Sequence, residues 1–262
     1  VACHEAHAAE EPALLRKPER DTCLECHPEV DRHGEEGWHT HQALEQGCTG
    51  CHDPHAADHQ YQLKATAPDL CMSCHEDALH DQLENAAVVH GALTQEHGCT
   101  GCHEAHGSML PKLRKGSEIA ECLSCHDREI EASNGRVLPD MDALLTANTD
   151  HHGPIREGLC TTCHQPHVGD RFGLLVEEYP PEFYAPFDID TFKLSFRCHI
   201  PDLVLQENGR GLTTFRQGDR NLHWPHVHQE QGRTRRPRHE SPAPSPPQPI
   251  PDAPPPGPTR YT

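Results

Sequence analysis

Six times in this chain two cysteines stand three positions apart with a histidine directly after the second. The segments are Cys23/Cys26/His27, Cys48/Cys51/His52, Cys71/Cys74/His75, Cys99/Cys102/His103, Cys122/Cys125/His126 and Cys160/Cys163/His164. Two thiols at this spacing can add to both vinyl groups of one porphyrin, and the adjacent imidazole is then placed to ligate the iron from one face. With 14 Cys and 25 His among 262 residues, chance placement predicts fewer than one such segment. The two remaining cysteines also precede histidines. Cys3-His4 needs one further Cys, one position ahead of Val1, to complete the pattern; Cys198-His199 has Ser195 where the first Cys belongs. A haem at Cys198 would hang from one thioether or be held by its iron ligands alone. The expectation is about eight haem c sites, six of them with complete motifs.

An iron held on one face needs a ligand for the other, and the histidine pattern offers a matching set. Four motifs carry a further histidine three residues on: His4/His7, His52/His55, His103/His106 and His164/His167. The segments Gly-Cys-Thr-Gly-Cys-His-Asp-Pro-His at 47–55 and Gly-Cys-Thr-Gly-Cys-His-Glu-Ala-His at 98–106 are nearly identical. These doublet motifs alternate with plain ones, so the repeating unit is a pair of motifs. About nine residues ahead of a doublet motif stands another histidine: His39, His90, His152 (or its neighbour His151), and His226 at the matching place in the last unit. Eight proximal candidates (His4, His27, His52, His75, His103, His126, His164, His199) thus face eight distal ones (His7, His55, His106, His167, His39, His90, His152, His226). Every iron can then be bis-histidine, saturated and suited to electron exchange rather than to binding a substrate. Spacing does not assign a distal histidine to a haem. His33, His41, His59, His80, His97, His223 and His228 are expected at the surface or as hydrogen-bond partners.

Other uses of these residues fit less well. Structural zinc could employ Cys-x-x-Cys pairs, but zinc does not require a His after every second Cys. A disulfide framework is open to an exported chain, yet a two-residue gap repeated six times would be an odd one.

The elements that must hold these ligands are modest. Apolar residues make up 34% of the chain and aromatics 5%, a thin core for this length unless apolar cofactors fill it. The expected fold is mostly irregular and α: short helices and loops wrapped around a chain of haems, with little or no sheet. Apolar patterns allow helices at 132–147 and 81–93. The segment 172–196 holds seven of the twelve aromatics, and its prolines at 180, 181 and 186 exclude a long helix. It reads either as an extended arm against a haem edge or partner, or as plain core. Residues 1–239 form a haem domain of four paired units (about 1–55, 56–106, 107–167 and a degenerate 168–239), and 240–262 a Pro-rich tail. At the last doublet position Arg235 and Arg238 replace both cysteines, so no haem is expected at His239. A net charge of −19 argues against nucleic acid as a partner. No stretch reaches the 18 or so apolar residues of a membrane span.

On the six motifs and the paired repeat, the chain resembles multihaem cytochromes of the doubled Cys-x-x-Cys-His class, related to the cytochrome c3-like group. The segment Phe215-Arg-Gln-Gly-Asp-Arg-Asn-Leu-His223-Trp-Pro-His226 is similar to that family's last unit, which typically runs into one more motif that Arg235/Arg238 interrupt here. The resemblance implies an electron carrier, not an enzyme, in periplasmic or extracellular anaerobic respiration. Its partners would be redox proteins, among them an outer-membrane porin and an extracellular cytochrome. The competing reading is a reductase of a small oxyanion with one open haem.

Overall fold

The computed structural model describes residues 2–228, apart from 31, 77, 78, 80, 96, 133, 134, 183 and 184. His80, the interrupted motif at Arg235, Arg238 and His239, and the Pro-rich tail at 240–262 lie outside the described residues.

Short helices separated by loops make up the chain: α1 Glu19–Leu24, α2 Ala67–His75, α3 Asp81–Asn85, α4 Glu118–Leu123, α5 Met141–Ala147, α6 Gly153–Arg156, α7 Lys193–Phe196, α8 Asp202–Leu205 and α9 His223–His228. Two kinds of turn carry the two kinds of motif. Plain motifs sit at the ends of α1, α2 and α4, with the Ser195/Cys198 variant at the end of α7. In α2, Pro68 occupies the first turn, where its missing N–H costs nothing, and the Thr66 side chain accepts from the Asp69 N–H. Doublet motifs form single 3-10 turns at Cys48–Gly50, Gly98–Gly101 and Cys160–Thr162. Each closes with the histidine N–H on the first cysteine's carbonyl, at 3.0, 3.1 and 3.0 Å for His52, His103 and His164.

Sheet is confined to antiparallel two-stranded pairs. Strands β1 (His39–Thr40) and β3 (Gly107–Ser108) pair, as do β2 (Val88–Val89) and β6 (Val168–Gly169), β4 (Ile130–Glu131) and β5 (Val137–Leu138), and β7 (Arg216–Gln217) and β8 (Arg220–Asn221). The first two pairs matter most, because each ties the segment ahead of one doublet motif to the residues just after the next one. Two expected helices are shorter than the apolar pattern suggests. Over 81–93 only α3 forms before the β-branched Val88–Val89 enters a strand, and over 132–147 the hairpin β4–β5, with Gly135 at φ 77, delays the helix to Met141.

The apolar core is as thin as composition implies. Val168, Leu175, Ala185 and Phe192 are the buried hydrophobics among the described residues. The aromatic segment supplies most of it: Phe192 meets Tyr179 edge-on at 5.5 Å and stacks on Phe187 at 5.9 Å, and Phe187 meets Phe196 at 6.3 Å. The plain-core reading of 172–196 therefore holds for these residues. Beyond it, Asn221 is fully buried and clasps the end of α8 to the start of α9. Its Nδ2 donates to Leu203 O at 2.8 Å and Gln206 O at 2.7 Å, and its Oδ1 accepts from the His223 N–H at 3.0 Å.

Candidate haem centres

After each doublet motif the backbone makes the same turn. His4, His52, His103 and His164 each point Nδ1 at the carbonyl nine residues on: Ala13 at 2.9 Å, Tyr61 at 2.8 Å, Lys112 at 2.8 Å and Gly173 at 2.7 Å. A carbonyl only accepts, so Nδ1 carries the proton and Nε2 keeps its lone pair for a metal. The carbonyls are aimed by two successive residues in the left-handed region: Ala13/Leu14, Tyr61/Gln62, Lys112/Leu113 and Gly173/Leu174, all with φ between 55 and 62°. Such a conformation costs a non-glycine residue about 1–2 kcal/mol. That it recurs behind four histidines marks it as part of the site rather than an accident of the loop. A bridge from each histidine to the residue eleven on (Leu15, Leu63, Arg114, Leu175) locks the turn.

A second set of imidazoles is delivered by the strand pairs. The His41 N–H bonds His106 O at 2.9 Å, and its Nδ1–H bonds Ala105 O at 2.7 Å. The His90 N–H bonds His167 O at 2.8 Å, and its Nδ1–H bonds Pro166 O at 2.8 Å. In both cases a two-residue strand leads directly to the histidine, and the ladder fixes the direction of its ring.

The histidines then meet in facing pairs: His4–His55 with ring centres 5.8 Å apart, His41–His75 at 6.2 Å, His52–His106 at 5.9 Å, His90–His126 at 6.2 Å, His103–His167 at 6.1 Å and His152–His199 at 6.0 Å. Two metal–imidazole bonds of about 2 Å, plus about 1.2 Å from ring centre to nitrogen on each side, put opposed rings about 6.4 Å apart. The observed spacings fit an iron between each pair. No group of three or more His, Cys, Asp or Glu among the described residues could itself hold a metal ion, so two facing imidazoles would need a macrocycle to supply the remaining ligands. The pairing follows a rule. The second histidine of each doublet reaches back to the previous doublet (55 to 4, 106 to 52, 167 to 103), and the histidine ahead of a doublet reaches forward to the next plain motif (41 to 75, 90 to 126, 152 to 199).

One distal expectation meets a different geometry. Counting nine residues back from the doublet motif points to His39, but the structure turns His41 toward His75 and leaves His39 within β1 against Ser108. Two more residues separate His90 from Cys99 than separate His41 from Cys48. The signal that does align them is His-x-Ala-Leu, present at 41–44 and 90–93. Of His151 and His152, it is His152 that faces a proximal histidine, while His151 Nε2–H donates to Leu145 O at 3.1 Å. His226 lies against Phe215, ring centres 5.7 Å apart, and neither His7 nor His27 faces another histidine among the described residues.

The attachment sulfurs also follow an order. Within each unit the first cysteine of the plain motif meets the first cysteine of the doublet motif: Cys23 with Cys48, Cys71 with Cys99, Cys122 with Cys160. In the thiol form burial and the Cys48 contact push Cys23 up to about 11. The Cys71 hydrogen bond holds Cys99 down at about 6, while that bond and burial push Cys71 up; Cys122 holds Cys160 down at about 7 in the same way. A lowered thiol is the better nucleophile for adding to a vinyl group. In the first unit Cys3 lies within electrostatic reach of Cys23, and between units Cys51 of Cys71, Cys102 of Cys122 and Cys163 of Cys198. The sulfurs thus run through the molecule in sequence order.

The two cysteines of a plain motif are not equally buried. Cys26, Cys74 and Cys125, the second cysteines of the plain motifs, are exposed, whereas the first cysteines Cys23, Cys71 and Cys122 are half-buried. The cause is the helix end. One turn carries the second thiol past the contact with the doublet motif, the Cys26 and Cys125 N–H groups closing on Cys23 O at 3.2 Å and Cys122 O at 3.3 Å. The neighbours of these thiols are slight: the Ser73 and Ser124 hydroxyls stand 3.9 Å from the sulfurs of Cys74 and Cys125, and Cys125 lies within electrostatic reach of Cys102. The tethering role of Cys26, Cys74 and Cys125 is read from motif spacing, and among the described residues these thiols stand exposed.

Two carboxylates that sequence reasoning missed hold the motifs of a unit together. Glu19, at the start of α1, accepts from Thr49 N at 2.7 Å and Thr49 Oγ1 at 3.0 Å, and Glu118, at the start of α4, accepts from Thr161 N. Both stand four residues ahead of a plain motif and bind the residue after a doublet's first cysteine. The middle unit has Ala67 at that place, and Thr100 Oγ1 donates instead to His97 O at 2.8 Å. Burial, followed by neighbouring histidines, lowers the pKa of His126 and His167, and burial with His52 lowers that of His106, which keeps these rings in the neutral form a metal needs. Beside His106, the buried Trp38 Nε1–H has no acceptor. A haem carboxylate would supply one, so here too the residues fit the group.

A family model described as the doubled CXXCH motif matches residues 1–32, 41–80, 90–131 and 152–202. Comparison with curated proteins gives no significant match.

Proposed function

The chain belongs to the doubled CXXCH motif family, and from that premise we propose that it conducts electrons along bis-histidine haems strung in sequence order. It is a multihaem c-type cytochrome that binds haem c covalently and serves electron transfer. The observation that supports the finer reading is the set of six facing histidine pairs, 5.8 to 6.2 Å between ring centres. With His27 and His164 as further proximal ligands the count is eight haems.

When bound, the haems supply one-electron exchange at iron. What the chain would do, at the six pairs, is present an imidazole to each face of the iron and leave no open position. In five of the six pairs one ring is fixed through Nδ1–H to a carbonyl: His4, His41, His52, His90 and His103. That bond raises ligand basicity, which favours the ferric state and low potential. Five of the six pairs join histidines of two units, and His4–His55 closes the first unit on itself, so the bound haems would also act as the cross-links a thin apolar core lacks. Attachment sulfurs in near contact would hold neighbouring haems close together, which hopping needs.

The site of action we propose is the periplasm or the outer face of the outer membrane, with redox proteins as donor and acceptor, an outer-membrane porin and an extracellular cytochrome among them. Among the described residues no helix is long and apolar enough to cross a membrane. The net charge of −19 favours partners with basic faces. We take the protein to be a carrier and not an enzyme. Film voltammetry of the haem-loaded chain tests this: a reversible wave that is unaltered by nitrite or tetrathionate supports a carrier, and a catalytic reductive current with either would establish a reductase.

A further inference from the structure

The six facing pairs are not equivalent, and one stands apart on four counts. His152–His199 is the pair in which both residues are exposed; each of the other five has at least one ring partly buried. Among the described residues neither of its rings donates Nδ1–H to a carbonyl, whereas each other pair holds one ring in that way. His41 and His90 are delivered by strands β1 and β2, but His152 follows residues 148–151, which belong to no strand, and stands at the start of the four-residue helix α6. Finally, Ser195 replaces the first cysteine, so Cys198 alone can tether the cofactor.

A ring without an anchor has more rotational freedom to lose on binding iron and less basicity once bound. Exposure lets water solvate the released imidazole. All four features lower the barrier to losing one ligand at this haem and at no other described pair. We propose that the haem at Cys198/His199 is the exchangeable site of the molecule, where His152 leaves ferrous iron and a small neutral π-acceptor diatomic such as carbon monoxide takes its place. The inference rests on the bis-histidine reading above. In the exchange the Nε2 lone pair of His152 is freed, the incoming carbon lone pair replaces it, and no electron is transferred. His199 stays as the ligand on the other face because it follows Cys198 directly and shares its tether.

The test uses the full haem-loaded chain, reduced and titrated with carbon monoxide while the Soret band is followed. Uptake by the haems of His27 and His164, outside the six facing pairs, is separated by its rate, which keeps rising with gas concentration. At the facing pairs one molecule of carbon monoxide per chain is expected, in a phase whose rate levels off because release of His152 becomes limiting. His152→Ala is expected to leave total uptake unchanged and to abolish the levelling phase, this haem then binding about tenfold faster or more. Absence of a levelling phase in the unaltered chain overturns the inference, and so does total uptake that rises by one in His152→Ala, since the exchangeable haem would then lie elsewhere. If His152→Ala does not mature, His41→Ala and His90→Ala locate the site by exclusion: each must raise total uptake by one, and an unchanged total in either sinks the proposal. More than one molecule in the levelling phase of the unaltered chain would instead undo the bis-histidine reading itself.

Discussion

At the scale of single residues, what a histidine does in this chain depends on where its Nδ1–H goes. A carbonyl partner fixes the tautomer, aims Nε2 outward and removes most of the ring's freedom. The doublet histidines were legible as candidate ligands because the motif sets them beside two cysteines. His41 was not, because its pairing depends on a backbone ladder between β1 and β3, at which only the His-x-Ala-Leu shared by 41–44 and 90–93 hints. The contrast between His41 and His39 can be measured. His41→Ala is expected to convert one haem, that of His75, to a high-spin form in the oxidised protein, while His39→Ala leaves the spin state of every haem unchanged. The reverse outcome in electron paramagnetic resonance would return the ligand to His39.

At the scale of elements, short helices and single turns suffice because each needs only to present two thiols and one imidazole. The helix-terminal plain motifs and the 3-10 doublet motifs follow from their sequences, with Pro68 and Thr66 opening α2 and Gly47 and Gly98 entering the tighter turns at φ 94 and 44°. The unequal burial of a motif's two cysteines, Cys23 against Cys26 for example, was not legible, since it depends on which end of a helical turn meets the next motif. Nor was the turn behind each doublet histidine. Ala13, Tyr61, Gln62 and Lys112 have no preference for the left-handed region, and only Gly173 hints at it. Tertiary demand, a carbonyl aimed at an imidazole, overrides propensity there. The apolar pattern over 132–147 misled for a related reason, since it fits a hairpin and a shorter helix equally well. Polar burial does in the last segment what apolar packing does elsewhere. Asn221→Ala leaves Leu203 O and Gln206 O without their donor and the His223 N–H without its acceptor, and is expected to cost about 2 kcal/mol. Gln217→Ala, exposed in β7, is expected to stay within about 0.5 kcal/mol. Equal denaturation midpoints for the two variants would contradict the clasp.

At the scale of the whole molecule, the paired repeat becomes two interleaved ladders. Doublet histidines link each unit backward, the histidines ahead of them link forward, and sulfurs of neighbouring motifs come together in sequence order. The number of motifs, the family and the scarcity of apolar core are all written in residue types and spacings, which is why they could be read there. The cross-linking rule was not legible, since it depends on contacts between residues 34 to 64 positions apart. An acidic surface and a thin apolar core fit a chain stabilised from within by its cofactors. The central claim is that both faces of the irons are closed by histidine. Electron paramagnetic resonance of the fully oxidised, haem-loaded chain tests it most directly. Low-spin ferric haem for at least the six facing pairs is the predicted result, and a high-spin signal amounting to more than two haems per chain would contradict it.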